Sequence, residues 1–220
     1  MVDAFVKAVR QLPDPAIRRA LLISIGLSLI AFILVWIAVA WALSHFSVFQ
    51  AGWLDAAVDV LGGLATLAVS WFLFPALVST TTGFFLDSVA EAVERRHYPT
   101  LPPARSQPLP EILGSSAKFF AMLLLLNIVM LLFLLLPPVF PFVFYGVNGY
   151  LLGREYFEVV AARRLDPPAA RALRRRNART VFAAGVLLAL LLTVPVVNLL
   201  APLLGTAAMV HLFAKMQRRV

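Results

Sequence analysis

The chain of 220 residues is 61% hydrophobic and 14% charged, with a net charge of +8 at neutral pH, against about 25% charged residues in an ordinary soluble domain. It contains no cysteine, which removes disulfide frameworks, thiolate metal sites and cysteine nucleophiles together. Uncharged runs at residues 20–44, 60–86, 119–153 and 180–210 (to 214 if a neutral His211 is counted) each exceed the ~20 apolar residues that carry a helix across the hydrocarbon layer, so the composition excludes a water-soluble domain and predicts an all-α integral membrane protein, a single membrane domain over 1–220.

In chain order, residues 1–19 form an amphipathic N-terminal segment. Val2, Phe5, Val6, Val9 and Leu12 recur at helical spacing, with Asp3, Lys7, Arg10 and Gln11 opposite, as in a helix lying in the membrane interface. The segment 13–19 reads Pro-Asp-Pro-Ala-Ile-Arg-Arg. Asp14 can cap the next helix and Pro15 suits its first position. Arg18 and Arg19 follow just after the first turn. Free N–H groups near Ile17 plus two guanidinium forks suit a tetrahedral oxyanion. The plainer reading is that the pair anchors the helix to lipid phosphates and sets its orientation.

The run 20–44 is too long for the core of a signal peptide and is read as an uncleaved transmembrane helix. Residues 44–59 hold Asp55 and Asp59 but no Lys or Arg, whereas every other polar segment is basic. Basic segments stay in the cytoplasm, so 44–59 lies outside, both termini lie inside, and 60–86 is the returning transmembrane helix. The helix continues over 84–97, where Glu91 and Arg95 are spaced for an i,i+4 pair. The proline-rich stretch 100–110 is a loop.

The last two runs begin and end in the cytoplasm and are broken by proline: Pro137, Pro138 and Pro141 in 119–153, and Pro195 and Pro202 in 180–214. Proline removes a backbone donor and stops a helix. Halves of roughly 12 to 18 residues reach only ~18–27 Å, so these runs are expected to be two partly inserted helical hairpins that turn back within the bilayer. The alternative is a set of short helices in a thinned bilayer. Broken backbone in hydrocarbon must be buried in protein or line water, which predicts a packed bundle around a polar cavity.

Pro167 and Pro168 open a helix carrying Arg171, Arg174, Arg175, Arg176 and Arg179. With no aromatic residues interleaved, the cluster is read as contacting anionic lipid rather than nucleic acid. Gly149 and Gly153 have the spacing for close helix contact. Glu91, Arg95, Asn148 and Asn198 are candidates for a pore lining or polar network, and Asn127, Thr193 and Thr206 are further polar residues in the runs. His45, His97 and His211 are far apart in sequence and match no metal-ligand spacing. No nucleotide-binding loop or protease pair is present, so neither an enzyme nor a cofactor is expected.

Several segments resemble the CysZ family of bacterial sulfate permeases. Pro15-Ala16-Ile17-Arg18-Arg19 is similar to that family's Pro-Gly-Ile-Arg-Arg, with Ala16 for the glycine. The stretch 84–94 is similar to its segment after the second helix, and 194–202, with Pro195, Asn198 and Pro202, to a hairpin tip followed by small residues at 205–209. The resemblance implies a multi-pass protein of the bacterial inner membrane that conducts sulfate for cysteine biosynthesis. It also implies two long transmembrane helices, two partly inserted hairpins, assembly as a homo-oligomer, and sulfate at Arg18 and Arg19. A non-transporting scaffold or lipid-interacting protein of the same superfamily is the other function it allows.

Overall fold

A computed structural model describes residues 1–45, 60, 63–64, 74, 77–78, 81–101 and 103–218, with the backbone alone at 42–45, 195 and 196. The outer segment expected at 44–59 and much of the helix expected at 60–86 lie outside the described residues. Among the described residues there is no strand. The helices are α1 (Val2–Gln11), α2 (Pro15–His45), α3 (Leu86–His97), α4 (Leu109–Phe133), α5 (Phe140–Ala161), α6 (Pro167–Arg176), α7 (Ala178–Leu192), α8 (Pro195–Asn198) and α9 (Ala201–Gln217). Two of them, α2 over Pro15–Trp41 and α4 over Leu109–Phe133, are long and apolar enough to cross a membrane.

The chain divides into two compact units, one of Met1–Arg18 with Leu86–Val220 and one of Arg19–Phe85. In the second, Ser24 and Ser28 are buried on α2. The Ser24 hydroxyl donates to the Ala20 carbonyl at 2.8 Å, and the hydroxyls of Ser28 and Thr81 lie 3.3 Å apart. Thr81 and Thr82 donate to the carbonyls four residues back. Phe32 meets Phe74 edge-on at 5.7 Å. Small hydroxylated side chains let helices approach closely while satisfying themselves on their own backbone. The rest of α2 presents Leu22, Ile30, Leu34 and Ile37 outward.

The other unit is built around α9, whose residues from Ala201 to Ala214 are all buried. It packs against α1, α3, α5 and α7. Gly205 makes room for Leu188 and Tyr156, which a Cβ there would meet at 2.9 and 3.0 Å. The α5–α7 crossing is closer still. A Cβ at Gly185 would collide with the Gly149 carbonyl oxygen and with Gly153 backbone, and one at Gly153 with the Val181 carbonyl. Gly149 and Gly153 thus form the close helix contact their spacing implied.

On α1 the buried face is Ala4, Phe5, Ala8 and Gln11, turned toward α9. Val2, Val6 and Val9, which the sequence grouped with Phe5, remain exposed. The helix therefore offers one narrow face to the protein and an adjacent valine face to its surroundings.

The helix breaks fall at the prolines. α4 ends at Phe133 ahead of Pro137 and Pro138, and Pro141 stands in the first turn of α5, where its missing N–H costs nothing. α7 ends at Leu192, Pro195 opens α8, and Pro202 lies in the first turn of α9. The lengths differ from those expected for the first broken run. α4 has 25 residues and α5 has 22, or ~33–37 Å, because the helices continue through Glu111, Lys118 and Arg154 instead of stopping where the uncharged run stops. α7 and α9, at 15 and 17 residues, are short, at ~22–26 Å.

Candidate anion site

The arginine pair sits at the start of α2. Asp14 Oδ1 accepts from the Ala16 N–H at 3.0 Å and its backbone carbonyl from the Arg18 N–H at 2.9 Å, so Asp14 caps the helix. Its other carboxylate oxygen receives Arg96 Nη1 at 3.2 Å. Ile17 is 1% exposed and packs its side chain in the core, leaving only its backbone to face a ligand. Arg18 and Arg19 are exposed, and neither guanidinium is bonded to another described residue. Adjacent helical residues point about 100° apart, so the two guanidinia grip one ion only by converging through their long, flexible side chains.

A second cluster of charge is buried. Arg163 grips Glu94 side-on, Nε to Oε1 at 3.4 Å and Nη2 to Oε2 at 3.1 Å, and donates Nη1 to Asp87 at 3.1 Å. Arg164 donates to the same Glu94 oxygen at 2.6 Å. The side chains of Glu94, Arg163 and Arg164 are 7%, 10% and 8% exposed. Burial alone would favour a neutral Arg163, but its hydrogen bonds to the Glu94 and Asp87 carboxylates and their charges outweigh it and raise its pKa, so the guanidinium stays charged. One buried carboxylate thus serves two buried guanidinia, with exposed Asp87 completing the balance. The Nε and Nη1 of Arg164 are buried without a partner.

The other sequence candidates are placed as follows. Glu91 and Arg95 pair with each other at 3.6 Å on the exposed face of α3, while Glu94, one turn along, takes the buried position. Asn148 donates to the Phe144 carbonyl at 2.9 Å and lies 3.9 Å from the Met130 sulfur. Asn127 likewise bonds the Leu123 carbonyl, and Thr193 that of Leu190. Asn198 is half-buried at the end of α8. Thr206 is fully buried and its hydroxyl has no partner.

Two histidines that are distant in sequence come together. The rings of His97 and His211 lie 4.9 Å apart, edge to face, and the Tyr98 hydroxyl is 2.9 Å from His211 Nδ1. No group of three metal-ligating side chains occurs among the described residues. Sequence reasoning missed both this contact and the Arg163–Glu94–Arg164 cluster. Its only signals were a doubled arginine after α5 and one acidic residue set on the inner face of α3.

A family model described as sulfate transporter CysZ/Etoposide-induced protein 2.4 matches residues 4–202, which include the arginine pair, the α3 carboxylates and Arg163–Arg164. No curated protein matches the chain. That family is one of transporters rather than of enzymes.

Proposed function

Because the chain belongs to the sulfate transporter CysZ/Etoposide-induced protein 2.4 family, and is a membrane protein with two helices able to span, we propose that it is a permease for sulfate uptake. The family match carries this reading. It is a channel-like, multi-pass protein of the bacterial inner membrane that feeds sulfur assimilation, with both termini cytoplasmic and 44–59 outside. The segments around Pro137–Pro138 and Pro195–Pro202 are hairpin tips within the bilayer, and the chains form a homo-oligomer.

Sulfate binds at Arg18 and Arg19, with the N–H groups around Ile17. Three observations support this assignment: both guanidinia are exposed and free of partners among the described residues, the burial of Ile17 holds the helix start in place, and Arg96 offsets the Asp14 charge that would otherwise repel an anion. Two charge-assisted contacts of about 1.5–3 kcal/mol each give an affinity weak enough for release. The arginine-rich helix α6 faces anionic lipid at the cytoplasmic surface, drawn there by ~1 kcal/mol per basic side chain.

The test is uptake of labelled sulfate by proteoliposomes. The wild type should take up sulfate above empty vesicles, and the double variant Arg18→Ala/Arg19→Ala should lose it while keeping its unfolding temperature. Arg18→Lys should be impaired, since an ammonium lacks the bidentate fork. A folded double variant that transports normally would place the anion elsewhere. A folded, inserted wild type that moves no sulfate would favour the other reading, a scaffold or lipid-interacting protein.

A further inference from the structure

The arginines of α6 do not simply face outward. Two of them, Arg174 and Arg175, line an open cleft of about 350 Å³ together with α5 and the first turns of α7. Its surface is almost wholly apolar, formed by Tyr150, Val181, Phe182 and the side-chain stems of Arg154, Arg174, Arg175 and Arg179, whose charged heads contribute little of the lining. Arg154 is engaged by Glu158 at 2.8 Å, and Arg174 lies 4.0 Å from the same carboxylate. The four guanidinia thus carry a net charge of about +3 over that one acid, and Arg175 and Arg179 have no partner among the described residues. Arg174 Nε is buried without a hydrogen bond. Arg179 also lines a neighbouring cavity of about 360 Å³ with Asn177, Thr180 and Lys215, again with no carboxylate in its wall.

The chemistry of this cavity is that of an amphiphile. A bare oxyanion would use the guanidinia but leave Tyr150, Val181 and Phe182 idle, and it would fill a small part of the space. An apolar ligand would leave the cations unmatched. A phosphate ester with an acyl chain meets both. On α7 the apolar surface continues away from the arginines through Phe182 and, two turns on, Leu190, 43% and 44% exposed. The polar end is at the helix start, where the backbone dipole also favours negative charge. Basic pockets between helices at a cytoplasmic boundary are where anionic headgroups dock.

We propose that the cavity between α5, α6 and α7 is a discrete, saturable site for one anionic glycerophospholipid, its phosphate held by Arg174, Arg175 and Arg179 and its chain lying along Phe182 and Leu190. This rests on the assignment of α6 to an anionic lipid surface, not on sulfate transport. It turns that diffuse attraction into a defined site.

The experiment is thermal unfolding of the purified, delipidated protein in neutral detergent, titrated with phosphatidylglycerol, phosphatidylcholine or sodium sulfate. Phosphatidylglycerol should raise the unfolding temperature saturably and phosphatidylcholine should leave it unmoved, whereas sulfate, which stabilises the fold through its own site at Arg18 and Arg19, should add to the lipid effect without competing with it. Arg175→Lys/Arg179→Lys should weaken the effect at least tenfold, because the forks are lost with the charge kept, and Phe182→Ser should weaken it independently. If the lysine variant responds like wild type and the effect disappears in high salt without saturating, the contact is diffuse, which overturns the site but keeps the lipid-facing reading. If phosphatidylglycerol and phosphatidylcholine act alike, both fall. If sulfate still reproduces or competes with the lipid effect in the Arg18→Ala/Arg19→Ala variant, the cavity takes a free oxyanion and the lipid assignment is wrong. Sulfate uptake by the wild type in parallel keeps the fate of the transport proposal separate.

Discussion

Helices α4 and α9 are both apolar and both come from runs broken by proline, yet one is bare and the other enclosed. No residue of α4 is buried, and it packs chiefly on α5. By contrast, α9 is covered on every side from Ala201 to Ala214. Hydrophobicity does not separate them, because in a bilayer lipid tails are as apolar as leucine and exert no force that would drive helices together. Side-chain size does. Between 119 and 133, α4 has one alanine and no glycine among leucines, phenylalanines and methionines, whereas α9 alternates bulk with Ala201, Gly205, Thr206, Ala207, Ala208 and Ala214. Small residues let neighbouring backbones close in and gain dispersion contacts. A leucine surface is satisfied by lipid.

The sharpest way to break this contrast is at the polar edge of the packed region. Replacing Glu94 with Gln leaves the buried Arg164 without a carboxylate and Arg163 with exposed Asp87 alone, and loss of one partner from a buried pair costs about 3–5 kcal/mol. Thermal unfolding in detergent should show the loss, while Glu91→Gln on the exposed face of the same helix should change little. Equal effects at the two positions would mean that the enclosed network contributes nothing.

A more direct comparison truncates one leucine in each helix. Leu203 on α9 is fully buried and Leu131 on α4 is 62% exposed. Leu203→Ala should destabilise by about 2–5 kcal/mol, and Leu131→Ala by no more than about 0.5 kcal/mol, measured by the same unfolding assay. A large loss at Leu131 would show that α4 is covered by another chain in the purified assembly.

The smallest expected effect is that of pH at the contact between α3 and α9. Partial burial, followed by the charges of Arg96 and Lys7, lowers the pKa of His97 below its ordinary value, against the opposing pull of Asp14. The folded state therefore binds the proton less readily than the unfolded chain. The stabilising contribution is complete above about pH 6.5 and is lost as pH falls through the folded pKa. His97→Gln should flatten part of the decline in unfolding temperature below pH 6.5. An unchanged pH profile would remove His97 from this account.

By itself the sequence determined the membrane class, the helical character, the sites of chain breakage and the resemblance to a sulfate transporter family, since each depends on local composition. An uncharged run of sufficient length, a proline at a given position, Asp14 before Pro15 and the Glu91–Arg95 spacing act within a few residues, and all are visible in one dimension. Close contact at Gly149 and Gly153 was also legible, because the missing side chain is itself the signal. The tertiary structure decided what meets what. It set Gly185 as the partner of those glycines, chose Ala4, Phe5 and Ala8 over the valines of α1, carried α4 and α5 through their charged ends, and gave Glu94 rather than Glu91 to Arg163 and Arg164 across about 70 residues of chain. It joined His97 to His211 and folded the arginines of α6 around an apolar wall. These pairings depend on which faces pack together once the helices are formed. Helix periodicity names the faces, but only the packing of the whole bundle selects among them.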